Sequence, residues 1–125
     1  LEFYRHFDIG LDPIPYNGGT TTYHSLWMGV PVVTLQGKNF SSRMSSSILS
    51  VVGLDDLVAQ SEDEYVKIAI DLASDKNRRL SLRASLRETL SKSPACNGKI
   101  FTKGLEKLYR EMWQRWCEGQ PTMTS

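Results

Sequence analysis

The chain is poor in the residues that build metal and redox sites. Its 125 residues include two cysteines, Cys96 and Cys117, and two histidines, His6 and His24. They show no metal-like spacing, so a zinc centre is not expected. Two thiols allow a single disulfide, but reduced thiols in a cytoplasmic protein are the simpler reading. Long apolar runs are missing too. No stretch approaches the ~20 residues needed to cross a bilayer, so no membrane partner is expected. The opening Leu1-Glu2-Phe3-Tyr4-Arg5 has no apolar segment after its basic residue and does not look like a signal peptide. It also lacks Met and reads as the start of a fragment or of a trimmed chain. Neither of two familiar phosphate-binding motifs occurs: there is no Gly-Lys-Ser/Thr and no Gly-x-Gly-x-x-Gly. No internal repeat or low-complexity segment is present.

What remains is ordinary globular material. Apolar residues make up 40% and charged residues 23%, and the length suits one compact domain. The net charge of +1 hides an asymmetry. Residues 1–75 carry four Lys or Arg against ten Asp or Glu, and residues 76–125 carry eleven against four. A basic half can signal nucleic acid. Here Arg79, Arg83 and Arg87 recur at helical spacing with no interleaved aromatics to stack bases. The pattern reads as a solvated helix face, and no nucleic-acid partner is expected.

The apolar periodicity alternates between strand and helix. Residues 8–12 read as a short strand, ended by Pro13 and Pro15. A helix follows from Thr20 or Thr21 to Met28, with a Thr as its N-cap and Gly29 as its stop. Residues 30–35 read as a buried strand. Ser41 or Ser42 should cap a second helix with Met44, Ile48, Leu49 and Val52 inward and Gly53 at its end. Residues 57–59 are a candidate third strand. Ser61 and Glu64 fit a capping box ahead of Tyr65, Ile68, Ala69 and Leu72. Asp75 can cap a helix carrying Leu82, Leu86 and Leu90, broken at Ser93-Pro94. A last helix begins near Asn97, with Phe101, Leu105, Leu108, Tyr109, Met112 and Trp116 on its apolar face. This order predicts an α/β fold: a short parallel sheet with a helical C-terminal tail. By the same phase, Trp27, Trp113 and Trp116 read as core. Residues 120–125 are expected to be disordered.

One stretch exceeds what the fold needs. In Tyr16-Asn17-Gly18-Gly19-Thr20-Thr21-Thr22-Tyr23-His24, a Gly pair and three threonines open a helix after the first strand. Ligands of open parallel sheets sit at the strands' carboxyl ends. A helix start offers unpaired N–H groups and a partial positive charge. Glycines admit an anion close to the backbone, and Thr hydroxyls add donors. Together these describe a phosphate cradle. A tight turn with one capping Thr is the other reading, and spacing alone leaves both open.

The run Asp8–Gly37 resembles the nucleotide-sugar segment of the O-linked N-acetylglucosamine transferases in their bacterial, SPINDLY-like form. The likeness continues through Ser42–Ala59, Asp63–Asp75, Leu82–Pro94 and Phe101–Trp113, covering about residues 1–116. The resemblance implies a B-type glycosyltransferase with two Rossmann-like lobes and the donor between them. Residues 1–118 would then be part of the C-terminal lobe, and residues 119–125 a tail. It implies an inverting, metal-independent transfer of N-acetylglucosamine from UDP-GlcNAc to Ser or Thr hydroxyls of an acceptor protein, without a cofactor. Gly19, Thr20 and Thr21 stand at diphosphate-contacting positions, with Thr22 beside them, and Asn17 and Gly18 shape the turn. His24 stands where the family has Asp or Glu to bind the ribose; it also fits a plain helix residue at the cleft rim. Tyr23 replaces a residue that is small in the family. Arg43 matches a basic position near the phosphates, with a structural salt bridge as the other reading, while Lys38 reads as solvated. The family's phosphate-supporting Lys, its uracil-binding segment, its N-terminal-lobe histidines and its repeats would lie upstream of Leu1. No general base is named within the chain, and the chain alone is expected to be inactive. The alternative is a non-catalytic UDP- or phosphate-binding module, or one that forms a homodimer through an exposed C-terminal helix.

Overall fold

The structure is a computed structural model that describes residues 2–119. Three short strands form one parallel sheet in chain order: β1 (Gly10–Leu11), β2 (Val32–Leu35) and β3 (Val58–Ala59). Gly10 pairs with Val32, and Thr34 pairs with Val58. The helices are α1 (Thr20–Trp27), α2 (Met44–Val51), α3 (Glu62–Ser74), α4 (Lys76–Lys92) and α5 (Gly98–Cys117). Parallel neighbours need a crossover, and α1 and α2 supply the two crossovers. The α/β order and the helical tail expected from the sequence are both present.

The core is small and continuous. Leu26 of α1, Val33 of β2, Ile48 and Leu49 of α2, Leu57, Leu72 of α3, and Leu86 and Leu90 of α4 pack together. Trp27 packs against this core, and the Arg87 guanidinium lies 4.8 Å from its ring centroid. Gly29 closes α1 at a φ of +78°, where a Cβ would stand 2.6 Å from the Arg83 carbonyl oxygen. Only glycine allows both the turn and this approach to α4.

Several caps fall where the sequence put them. The Ser61 hydroxyl accepts from Glu64 N at 3.2 Å, and the Glu64 carboxylate accepts from Gln60 N rather than from Ser61. Asp75 accepts from Arg78 N. The last helix starts near Asn97 as expected, and the structure adds that the Asn97 side chain caps it by accepting from Ile100 N. Other details differ. No Thr caps α1: Gly19 is the N-cap residue and it makes no side-chain cap hydrogen bond. Neither Ser41 nor Ser42 caps α2. Ser42 ends a short 3₁₀ turn over Phe40–Ser42, where its hydroxyl exchanges bonds with the Asn39 backbone, and Arg43 takes the cap position.

The arginine row on α4 is not a solvated face. Arg83 donates to the Phe7 carbonyl at 2.6 Å and pairs with Asp8 at 3.2 Å. Arg79 bonds the Leu72 and Ala73 carbonyls at the end of α3. The forked guanidinium suits such ties to backbone oxygens, and Arg83 thereby fastens the segment leading into β1.

The apolar face of α5 is exposed, as the alternative of an exposed C-terminal helix has it, and it departs from the reading of its tryptophans as core. α5 buries no residue, and Phe101, Leu108, Tyr109, Met112, Trp113 and Trp116 are all at least half exposed. Trp113 and Trp116 are therefore not core; their rings stack on each other at 5.5 Å. The periodicity marks an apolar stripe correctly but does not say what covers it. Cys96 and Cys117 are exposed and unpaired. Among the described residues no helix is long and apolar enough to cross a membrane. The expected disorder of residues 120–125 lies outside the described residues.

Candidate functional site

The site begins where β1 ends. Asp12 follows β1 and is buried, an unusual place for a carboxylate unless it is hydrogen-bonded. Both oxygens are used. Oδ1 accepts from Gly18 N at 2.8 Å, and Oδ2 accepts from the Thr34 hydroxyl at 2.6 Å. The chain between Asp12 and Gly18 is thus drawn into a loop over the carboxyl end of β2. The Tyr65 hydroxyl of α3 donates to the Asp12 carbonyl at 3.0 Å and holds the loop from the other side. Burial, and next the Asp12 charge, raise the Tyr65 phenol above its ordinary 10.0. It therefore stays protonated and able to donate.

Asn17 is buried under this loop. Its amide nitrogen donates to the Pro13 carbonyl at 3.3 Å, and its backbone N–H donates to Ser41 O at 3.0 Å. Its Oδ1 is buried with no partner. Gly18 has no room for a side chain: a Cβ would stand 2.5 Å from Thr21 Oγ1 and 2.7 Å from Thr22 Oγ1. The Gly18 carbonyl accepts from Ser45 Oγ at 2.8 Å, and Ser45 Oγ also bonds Thr22 Oγ1 at 2.8 Å. Through Ser45, α2 fixes both the turn and the first turn of α1.

The three threonines therefore divide. Thr22 is buried and joined to Ser45. Thr20 and Thr21 are exposed at the open end of α1. Among the described residues, the N–H groups of Gly19, Thr20, Thr21 and Thr22 find no acceptor. A helix start normally satisfies one of these donors with a side-chain cap; here the threonine side chains do not cap, and the donors stay available. His24 is exposed on α1, four residues after Thr20 and hence on the same face. Tyr23 is also exposed at the surface; burial, and next the Cys96 thiol, raise its phenol above the ordinary value.

Arg43 is exposed at the start of α2, and among the described residues no carboxylate pairs with it. The salt bridge considered for it is not formed among the described residues. With the Gln36 amide turned so that its oxygen faces the guanidinium, Arg43 donates to it at 2.8 and 3.0 Å. A neutral amide leaves the positive charge uncompensated beside the carboxyl end of β2.

The site is an open edge rather than an enclosed cavity. Two surface hollows lie elsewhere, at the α3–α4 turn around Asp71 and Asp75 and along the polar flank of α5. Sequence reasoning missed Asp12, Thr34 and Ser45. Each carried a weak signal: an acid directly before Pro13, a hydroxyl inside the apolar Val32–Leu35 strand, and a serine run in an otherwise apolar helix.

Comparison with known proteins agrees with this architecture. The model of glycosyl transferase family 41 matches residues 4–105. A Hordeum vulgare protein named probable UDP-N-acetylglucosamine–peptide N-acetylglucosaminyltransferase SPINDLY is 52% identical over 119 residues, which is 95% of this chain and 13% of that protein. A Caenorhabditis elegans UDP-N-acetylglucosamine–peptide N-acetylglucosaminyltransferase is 34% identical over 91% of this chain and 10% of its own length. The solved structure of a mutant Thermobaculum terrenum O-GlcNAc transferase superposes with a TM-score of 0.82 at 41% identity, over 94% of this chain and 23% of that one. The chain thus spans about an eighth of the length of the SPINDLY relatives it matches. On the extent of the family match and the identity to these transferases, the chain belongs to glycosyl transferase family 41.

Proposed function

We propose that this chain is the diphosphate-binding segment of a nucleotide-sugar transferase, taking UDP-GlcNAc as the donor named for its relatives. The observation that carries the reading is the set of unpaired N–H groups from Gly19 to Thr22. They open at the carboxyl ends of the strands beside two exposed threonine hydroxyls. Such a set fits an anion and leaves its charge in contact with fixed dipoles. The segment would sit in the C-terminal lobe of a two-lobed, inverting enzyme that modifies Ser or Thr hydroxyls of an acceptor protein.

In that reaction the acceptor oxygen bonds to the anomeric carbon and the bond from that carbon to the diphosphate breaks. The electron pair leaves on a phosphate oxygen, and the hydroxyl proton passes to a base outside this segment. The fixed donors of α1 stabilise the charge as it grows, the task a metal performs in other transferases. Arg43, with its uncompensated charge, lies on the next loop and suits the same anion. His24 would face the ribose with one acceptor nitrogen. A reducing, cytoplasmic compartment suits the exposed unpaired thiols of Cys96 and Cys117.

The test is calorimetry with Thr20 and Thr21 both replaced by Ala. Each loses a hydroxyl and keeps its helix position, so the thermal midpoint should hold while UDP binding weakens about tenfold or more. Equal UDP affinity in the double variant would remove the diphosphate assignment.

A further inference from the structure

The turn that opens α1 is tied to a group buried beneath it. Among the described residues, the Gly18 N–H is the one backbone donor of the Gly18–Thr22 run that has a protein acceptor, and that acceptor is the buried Asp12 carboxylate. We infer that Asp12 is a positioning residue: its carboxylate fixes the Gly18 peptide so that the following N–H groups open toward the diphosphate. The inference rests on the diphosphate reading above.

The geometry over-determines this role. Asp12 Oδ2 is held by the Thr34 hydroxyl of β2, so the carboxylate plane cannot rotate freely. The Asp12 carbonyl is held by the Tyr65 hydroxyl of α3, so its backbone is fixed as well. The position of Gly18 is therefore referred to β2 and α3 rather than to its own loop. A charged acceptor also makes a shorter, stronger bond to an N–H than a neutral one.

A carboxylate this close to an anion site carries a cost, because like charges repel. The cost explains why both oxygens are spent on donors. It also separates geometry from charge experimentally. In Asp12→Asn the amide oxygen can still accept from Gly18 N, and the amide nitrogen can donate to the Thr34 oxygen. Asn thus preserves the tie and removes the repulsion. In Asp12→Ala the tie is gone.

The experiment is calorimetric titration of the purified chain and its variants with UDP and with pyrophosphate, below the thermal midpoint of each variant. Asp12→Ala should weaken both ligands about tenfold or more, the loss expected when a hydrogen bond to a charged group is removed. Asp12→Asn should stay within about threefold of the parent, or bind tighter. This rescue by the isosteric amide is what a simple dependence on charge or on bulk stability would not give. Where Asp12→Ala does not fold, Thr34→Val carries the test. It keeps the buried shape and removes one hydroxyl, and it should weaken UDP about threefold or more. A folded Asp12→Ala protein, or failing that Thr34→Val, that binds as the parent does would overturn the inference. So would an Asp12→Asn protein as weak as Asp12→Ala. A parent chain that ignores both ligands would instead overturn the diphosphate reading on which the inference stands.

Discussion

α1 and α5 divide the molecule's work in opposite ways. α1 has eight residues and buries Thr22, Ser25 and Leu26; α5 has twenty and buries none. Around α1, side chains from β2, α2 and α3 and the Asp12 carboxylate hold the turn that opens the helix. Around α5, apolar side chains face outward and the two tryptophans stack on each other. A polar turn is fixed by its own neighbours, because each hydrogen bond names its partner. An apolar stripe is indifferent to which surface covers it. Among the described residues, the first region is thus held by its own hydrogen bonds, and the second leaves its apolar face uncovered.

The strongest way to break this contrast is to fill the cradle from inside. Gly18→Ala puts a methyl group against Thr21 Oγ1 and Thr22 Oγ1. UDP binding should fall below detection, measured by calorimetry on protein shown to be folded by circular dichroism. Retained binding would mean that the turn is not the contact surface. At the other end, Leu108→Ser with Trp116→Ser should leave the thermal midpoint nearly unchanged, since exposed substitutions usually stay within about 0.5 kcal/mol each. The same pair should reduce self-association in sedimentation velocity. A large loss of stability would show that α5 is packed rather than exposed.

Two smaller effects sharpen the polar side. His24→Glu gives the helix face a two-oxygen acceptor four residues after Thr20. It should tighten UDP more than pyrophosphate, by about threefold; equal changes in both would place the side chain away from the ribose. The Tyr65 contribution is read from pH. Its phenol is raised in the fold, so its stabilising effect is full below 10.0 and is lost as pH rises through the higher folded value. Tyr65→Phe should therefore lack that alkaline loss. Parallel denaturation curves for both proteins above pH 10 would contradict the Tyr65–Asp12 tie.

The same contrast governs what could be read from the sequence. Strand–helix alternation, the caps at Ser61 and Asp75, the start of the last helix near Asn97, and the Leu82, Leu86 and Leu90 stripe are local, and local patterns showed them. The glycine pair and threonine run were equally visible. Their internal division was not, because Thr22 differs from Thr20 and Thr21 only through Ser45, which lies 23 residues away. Asp12, Thr34 and Tyr65 meet only after the sheet has formed, so no spacing rule joins them. Arg79 and Arg83 looked solvated because their acceptors are backbone carbonyls, which leave no mark in the sequence. Trp113 and Trp116 looked buried because periodicity reports an apolar face and not the presence of its partner.

The most direct test is an amide NMR titration of the purified chain with UDP and with uridine. The cradle predicts saturable shifts at Gly18–Thr22 with UDP and none there with uridine, unchanged when EDTA is present. Equal shifts with both ligands, or none with either at millimolar concentration, would contradict a diphosphate site built from the start of α1.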